Sequence, residues 1–282
     1  MTDVEGVARV AQSKKKDSAP PTVQYFAAVL RLLRERAGLT QDELGALMNY
    51  TGSAVSAVET CAKPPTDEFI DAAEKALDAG GLLRSAIKYL RLERYPAHFQ
   101  GFVQLEQEAL SVSSYCTQLI DGLLQTEDYA REVLKAAFPP LEHDEVEALT
   151  QARMDRKALF DRKPMAVVSV ILDEPTLRRQ LGAPEIMRAQ YGHLVECAAR
   201  PNVVIQVLPM SRGGHAGLQG PMKLVETADQ TTLVYTESHG KSILISKPDE
   251  AAILARRYAM IRSQALGPEE SVWFIEELMG ER

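Results

Sequence analysis

Cysteine is scarce in this sequence, and the few cysteines that occur are scattered. Cys61, Cys116 and Cys197 are the only three among 282 residues, and none belongs to a C-x-x-C pair or to a Cys/His cluster at zinc-ligand spacing. This excludes a disulfide-stapled scaffold and a structural zinc site, so we expect no metal. A sparse, odd number of cysteines is typical of a reducing cytosol.

Long hydrophobic runs are also missing. The longest clearly apolar stretch, residues 165–172, is far shorter than the roughly 20 residues that a membrane-spanning helix needs. Residues 1–18 contain no apolar core, so they do not resemble a secretory signal. The sequence therefore predicts a cytoplasmic protein without a membrane partner.

The sequence has no excess of basic residues. It contains 32 Lys and Arg against 39 Asp and Glu, which gives a formal net charge of −7. Proteins that coat nucleic acids neutralise phosphates with Lys and Arg, so an acidic balance argues against that class. Hydrophobic residues at 45% and charged residues at 25% are typical of globular proteins, and a length of 282 residues predicts two domains.

Catalytic motifs are absent as well, since there is no H-E-x-x-H, no G-x-S-x-G and no P-loop. Cys197 with His215 or His239 is the only nucleophile–base set that the sequence offers. Cys197 lies in a predicted helix, which favours a buried small hydrophobic residue. The glycine-rich segment 213–220 could cradle an anion, but a loop between two strands is the favoured interpretation. We therefore expect no catalytic residue, no cofactor and no enzyme activity.

Hydrophobic periodicity divides the chain into three parts. Residues 1–22 show no periodicity and predict a flexible tail, in which Lys14–Lys16 form either a solvated arm or an arm that touches DNA phosphates. Residues 23–92 carry several short helical patterns, which predict an all-α domain. Residues 98–282 combine helical and β-rich segments, which predict an α+β domain with a small sheet whose strand order stays undetermined. The predicted fold class is therefore helix-dominated α+β.

Runs of β-branched residues between turn residues predict the strands of the second domain. These strands are expected at 165–172, 203–208, 221–226, 231–237 and 242–245. Helical periodicity predicts helices at 106–111, 128–137, 143–162, 185–200, 249–266 and 268–279.

The segment from residue 39 to residue 59 is the most informative part of the sequence. Thr40 and Glu43 complete a Thr-x-x-Glu capping box at the start of one helix, and Thr51 can cap the next helix after a three-residue turn. Two helices joined so closely need a small residue where they cross, and Gly45 supplies it. This spacing predicts a helix-turn-helix.

The segment resembles the helix-turn-helix of the Cro and lambda-repressor type, also called the xenobiotic-response-element (XRE) family. The matching residues are Gly38-Leu39-Thr40-Gln41, Glu43-Leu44, Thr51, Val55-Ser56 and Val58-Glu59. The resemblance implies double-stranded operator DNA as a partner. The DNA-contacting set that it implies is Thr40, Gln41, Thr51, Gly52, Ser53, Ser56, Ala57 and Lys63. In this set, Gln41 and Ser56 are expected near the phosphates.

The same resemblance places Gly52, Ser53 and Ala57 against base edges in the major groove. These positions hold nothing longer than serine, whereas base readout usually uses Gln, Arg, Asn or Lys. Between Val23 and Lys88 there are seven basic and nine acidic side chains. We therefore expect weak, salt-sensitive operator binding that requires a homodimer.

Several phrases after residue 98 carry a second resemblance. They occupy residues 119–131, 172–177, 186–190, 201–209 and 214–221. Together they resemble the C-terminal domain of actinobacterial XRE-type regulators that are similar to the developmental regulator WhiJ and are described as antitoxin-like. The resemblance implies a regulator that is often encoded beside a small partner protein, which it binds.

The leading hypothesis is a sequence-specific, dimeric transcription regulator whose second domain binds an effector or a partner and shifts the population of DNA-competent dimers. Two alternatives stay open. One is an antitoxin-like module whose main role is to bind a small partner protein encoded nearby, because an acidic surface suits a basic partner. The other is an enzyme fused to a DNA-binding module, with Cys197 and His215 as its only nucleophile hypothesis.

Overall fold

The computed structural model describes residues 19–93, 97–238 and 241–280. The chain divides into two compact units, Met1–Glu93 and Arg94–Arg282, each with its own internal contacts. Lys14–Lys16 and His239 lie outside the described residues. Within the described ranges, no helix combines the length and the hydrophobicity needed to cross a membrane.

The first unit is built from helices alone. Its helices are α1 (Pro21–Arg36), α2 (Gln41–Met48), α3 (Gly52–Glu59), α4 (Asp67–Ala76) and α5 (Ile87–Leu92). Helix α1 begins inside the predicted tail because Pro21 occupies its first turn, where a missing N–H costs nothing. Gly38 follows the helix with a φ of 70°, a left-handed conformation that favours glycine and ends the helix.

One hydrophobic core holds these helices together. It is formed by Val23, Phe26, Leu30, Leu44, Met48, Val55, Val58, Phe69, Ile70, Ala73, Leu83 and Leu90. Every helix of the unit contributes at least one of these side chains, because each helix places its apolar residues on one face. The all-α character predicted for this region is therefore confirmed.

The second unit combines helices with one mixed sheet. Its elements are α6 (Ala97–Glu108), β1 (Ser111–Cys116), α7 (Glu127–Lys135), α8 (His143–Asp155), β2 (Val167–Asp173), α9 (Glu174–Arg178), α10 (Pro184–Ala198), β3 (Val203–Leu208), β4 (Met222–Glu226), β5 (Thr232–Ser238), β6 (Lys241–Ile245), α11 (Pro248–Gln264) and α12 (Pro268–Met279). The strand order is β3-β2-β1-β4-β5-β6. Strands β1, β2 and β3 are parallel, while β4, β5 and β6 add in antiparallel fashion. The predicted fold class, helix-dominated α+β, is confirmed.

The parallel strands β1, β2 and β3 are buried on both faces of the sheet, whereas the edge strand β6 is mostly exposed. Val112, Val170 and Ile205 point to one face and belong to a core that also includes residues of α7, α10 and α12. Tyr115 and Ile171 alternate with them and point to the other face, where α11 supplies the covering residues. Buried parallel strands carry continuous runs of β-branched residues, which is why β2 and β3 were detectable from the sequence.

Strand β1 was missed, and the helix predicted at 106–111 is wrong at its end. Helix α6 stops at Glu108, and Ser111 already belongs to β1. Serine has no preference for strands, so the segment SVSSYC gave no strand signal. Its position between β2 and β4 supplies hydrogen-bonding partners on both sides, and this tertiary pairing decides its conformation.

Candidate nucleic-acid interface

Helices α2 and α3 form the predicted pair, and their caps are those expected from the sequence. The Glu43 N–H donates to Oγ1 of Thr40 at 3.2 Å, and the Thr40 N–H donates to Oε2 of Glu43 at 2.7 Å, which completes the capping box. Asn49 ends α2 with a φ of 58°. Thr51 then caps α3, because its Oγ1 accepts from the Ala54 N–H at 3.2 Å.

The two helices cross at Gly45, as predicted. A Cβ atom at this position would lie 2.8 Å from the carbonyl carbon of Thr51, 2.9 Å from the Gly52 nitrogen and 3.0 Å from the Tyr50 oxygen. All three are backbone atoms, so they cannot rotate away as a side chain could. Only glycine therefore permits this approach between α2 and the start of α3.

A buried ion pair fixes the position of α3 relative to α1. Nε and Nη2 of Arg34 donate to the two carboxylate oxygens of Glu59 at 2.6 Å and 3.0 Å. Nη1 of Arg34 also donates to the Leu39 carbonyl oxygen at 2.8 Å. The hydrogen bond to Glu59 raises the pKa of Arg34 above its usual value, so this cation stays charged.

This ion pair also changes the expectation for Gln41. Its side-chain amide donates to Oε2 of Glu59 at 2.8 Å, so the amide nitrogen is engaged inside the unit. The first N–H groups of a helix have no intrahelical partner, which leaves the backbone at the start of α2 suited to a phosphate. A phosphate contact by Gln41 is therefore expected from its backbone N–H or from the second N–H of its side-chain amide.

The predicted DNA-contacting residues occupy one continuous part of the unit, namely α3, the starts of both helices and the turn after α3. Thr40, Thr51, Ser53 and Lys63 are exposed. Gln41, Gly52, Ser56 and Ala57 are partly exposed. Their contacts with DNA stay predictions.

Asp42 lies beside the start of α3, a feature that the sequence reasoning did not identify. A Cβ atom at Gly52 would lie 2.8 Å from Cγ of Asp42 and 3.0 Å from its Cα. A carboxylate is favourable at the positive end of a helix, but it competes with DNA phosphates for the same position. Asp42 therefore adds electrostatic repulsion at the end of α3 that would approach DNA.

Arg34 and Glu59 were also missed as a pair, although the sequence contained a signal. Arg34 follows Phe26 and Leu30 at intervals of four residues, so it lies on the buried face of α1. A buried guanidinium group requires a carboxylate partner, because an unpaired buried charge is strongly unfavourable. The sequence alone did not show that Glu59 was this partner.

Cys197 is buried on α10, as the sequence favoured, and of its two candidate bases only His215 lies within the described residues. Sγ of Cys197 lies 3.6 Å from Nε2 of His193, four residues earlier on α10, and Nζ of Lys157 lies 3.2 Å from the same nitrogen. Burial raises the pKa of the Cys197 thiol and lowers the pKa of His193. Nδ1 of His215 accepts from the Gly217 N–H at 3.1 Å, which makes it a hydrogen-bonded loop histidine.

Comparison with known protein families matches both units. Residues 26–87 match a helix-turn-helix domain, and residues 99–277 match a domain of unknown function, DUF5753. The chain belongs to the DUF5753 family. Its DUF5753 domain accounts for more than half of the chain, and the helix-turn-helix domain precedes it. No curated protein and no solved structure matches the chain.

Proposed function

We propose that this DUF5753 protein is a dimeric, sequence-specific transcription regulator of the XRE type, acting in the cytoplasm, whose DUF5753 domain binds an effector or a partner protein. The observation that carries the proposal is the close crossing of α2 and α3 at Gly45. This crossing exposes the start of α3 in the way that a helix-turn-helix exposes its recognition helix. The helix-turn-helix match over residues 26–87 supports the DNA-binding part.

The short side chains on α3 indicate how such an interface would work. Gly52, Ser53 and Ala57 allow the helix backbone to approach DNA closely, but they offer no bidentate contact to a base. Specificity would then depend on DNA shape and on backbone contacts. Because each contact is weak, two copies bound to half-sites about one helical turn apart would be needed for useful affinity.

The test is a fluorescence-anisotropy titration of the full chain on DNA from its own upstream region. Ser53→Glu places a carboxylate in the first turn of α3, where it stabilises the helix but repels phosphates. We expect this variant to fold at least as well as the parent and to lose at least tenfold in affinity, on the order of 1.4 kcal/mol.

Ser263→Glu is the matched control, since Ser263 is an exposed residue of α11 in the DUF5753 domain and the change in net charge is the same. It should bind DNA like the parent. Equal affinity for Ser53→Glu and the parent would contradict the proposed interface. Binding that follows a single-site curve while sedimentation shows a monomer would contradict the dimer requirement.

A second candidate function is an antitoxin-like role in which the main partner is a small basic protein encoded nearby. The observation that favours it is the combination of a net charge of −7 with recognition positions no longer than serine. Ser53→Glu distinguishes the two functions, because it should weaken DNA binding. If the full-length variant still binds the neighbouring gene product and still regulates, the antitoxin-like role is favoured.

We also propose that the chain is not an enzyme and uses no cofactor. Cys197 is buried with a raised thiol pKa, which disfavours the thiolate that nucleophilic catalysis requires. Replacing both Cys197 and His215 with alanine should leave regulation in cells unchanged. Loss of regulation by a double variant that still folds would overturn this part of the proposal.

A further inference from the structure

The DUF5753 domain contains a group of charged side chains that the proposed DNA-binding function does not use. Its members are Glu106, Asp121, Arg153, Arg156 and Lys223, which we call the inner charge cluster. They come from α6, the turn before the short helix at 122–124, α8, the short 3-10 helix Arg156–Phe160 that follows α8, and β4. Charged groups of this kind are rarely buried without a structural or a functional reason.

Four of the five members form ion pairs. Nε and Nη2 of Arg156 donate to the two oxygens of Glu106 at 2.7 Å and 2.9 Å. Nζ of Lys223 lies 2.8 Å from Oδ2 of Asp121 and 3.9 Å from Oε1 of Glu106. Burial alone would raise the pKa of Asp121, but Lys223 and the Leu123 N–H hold that pKa well below its usual range.

Arg153 differs from the other two cations of the cluster in its hydrogen-bond partner. Its Nη1 donates to Oε1 of Gln125 at 2.7 Å, and Gln125 is neutral. Across the described ranges, no carboxylate forms an ion pair with Arg153, while Asp121 and Glu237 attract it only at longer range. Burial and the nearby Arg156 lower the pKa of Arg153 to about 10, so it is still protonated at neutral pH.

Ser114 supplies a second, independent observation. It lies on β1 directly opposite Lys223 of β4, and opposite residues of an antiparallel pair point to the same face of the sheet. Its Oγ is buried and has no hydrogen-bond partner in the part of the chain that the structure describes. A buried hydroxyl group without a partner is unfavourable, and such groups commonly mark a missing ligand or water.

The unpaired hydroxyl group lies opposite Lys223, and Asp121, the partner of Lys223, also attracts Arg153, so both observations concern the same cluster. The cluster holds three cations and two carboxylates, and the third carboxylate nearby, Glu237, attracts Arg153 only from longer range. Arg153 has five N–H donors, and one hydrogen bond to Gln125 leaves most of them for a further acceptor. The Arg153 side chain is only partly buried, so a small solute can reach it.

We propose that the inner charge cluster is a binding site for a small oxyanion, a carboxylate or phosphate group, which Arg153 holds through its planar fork beside Lys223 and Ser114. Arginine suits this role because its guanidinium group pairs with both kinds of oxyanion in bidentate geometry. The inference does not depend on DNA binding, and it assigns to the DUF5753 domain a class of effector.

The test uses the full chain and two probes, sodium phosphate and sodium acetate, with sodium chloride at the same ionic strength as the reference. Thermal unfolding and titration calorimetry should both detect binding by at least one probe, since a ligand that binds only the folded state raises its stability. A rise with phosphate alone that Arg153→Gln abolishes identifies a phosphate group, because the general stabilising effect of phosphate acts on both proteins. A rise with acetate alone identifies a carboxylate. No rise with either probe above chloride overturns the proposal.

Arg153→Gln should weaken binding by at least about tenfold, the usual effect of losing a hydrogen bond to a charged group. Arg188→Gln is the matched control, because Arg188 is exposed on α10, and it should bind like the parent. If Arg153→Gln does not fold, Arg153→Lys keeps the charge without the fork and should bind with intermediate affinity. Equal binding by the folded Arg153 variant and the parent contradicts the assignment.

Discussion

Replacing Gly45 with alanine tests the feature on which the proposed DNA-binding function depends most. The added methyl group would lie 2.8 Å, 2.9 Å and 3.0 Å from three backbone atoms of the turn and of α3. Ordinary contacts of this kind are about 3.5 Å or longer. Since no side chain can move aside, α2 and α3 must separate to admit the methyl group.

The expected cost follows from two opposing contributions. Forcing an extra carbon into a packed contact usually costs about 1–3 kcal/mol. Alanine recovers up to about 1 kcal/mol because it favours the helix more than glycine does. The net loss should therefore be about 1–2 kcal/mol, and for a domain of this size that lowers the melting temperature by about 5–15 °C.

Differential scanning calorimetry of the full chain measures this change directly. The matched control is Gly101→Ala in α6, where a Cβ atom would meet nothing within 4 Å. This control should stabilise the DUF5753 domain by up to about 1 kcal/mol, because only helix preference acts there. If Gly45→Ala is as stable as the parent and binds DNA equally well, the close crossing of α2 and α3 does not determine the interface.

Three further predictions follow from the charges and thiols of the structure. Asp42→Asn should strengthen DNA binding about threefold to fivefold at low salt and less at high salt, because it removes a carboxylate from the start of α3. Anisotropy titrations at two salt concentrations measure this change in affinity. Because folding lowers the pKa of Asp121, its carboxylate stabilises the folded protein above about pH 4, and this stabilisation is lost as the pH falls through the folded-state pKa. In urea unfolding, the free energy of unfolding of Asp121→Asn should therefore depend less on pH in that acidic range, and it should be about 3 kcal/mol lower than that of the parent at pH 7. Ellman's reagent should label Cys61 first in the folded protein, because burial raises the thiol pKa of both Cys116 and Cys197, and rapid labelling of all three thiols would contradict their burial.

The parts of the candidate interface that depend on residues close together in the chain could be predicted from the sequence. Thr40 and Glu43 form the predicted capping box, Thr51 caps α3, and Gly45 lies at the crossing, because caps and close approaches depend on neighbours along the chain. The partner of Gln41 could not be predicted, since Glu59 is 18 residues away and is brought to it by the turn between α2 and α3.

The inner charge cluster, in contrast, could not be predicted from the sequence. Its members are spread from Glu106 to Lys223, and no spacing in the sequence links them. Only the strand order β3-β2-β1-β4-β5-β6, which the sequence left undetermined, brings β4 beside β1 and so places Lys223 opposite Ser114.

The sequence by itself determined the helix-dominated α+β class, the helix-turn-helix and five of the six strands, because periodicity and caps are local properties of the chain. Tertiary structure alone decided that the serine-rich segment Ser111–Cys116 forms a strand, which pairs with β2 and β4 at the middle of the sheet. It also decided that Arg153 has no carboxylate of its own in the described part of the chain. Pairing and charge compensation depend on distances in space, and residues far apart in sequence set those distances.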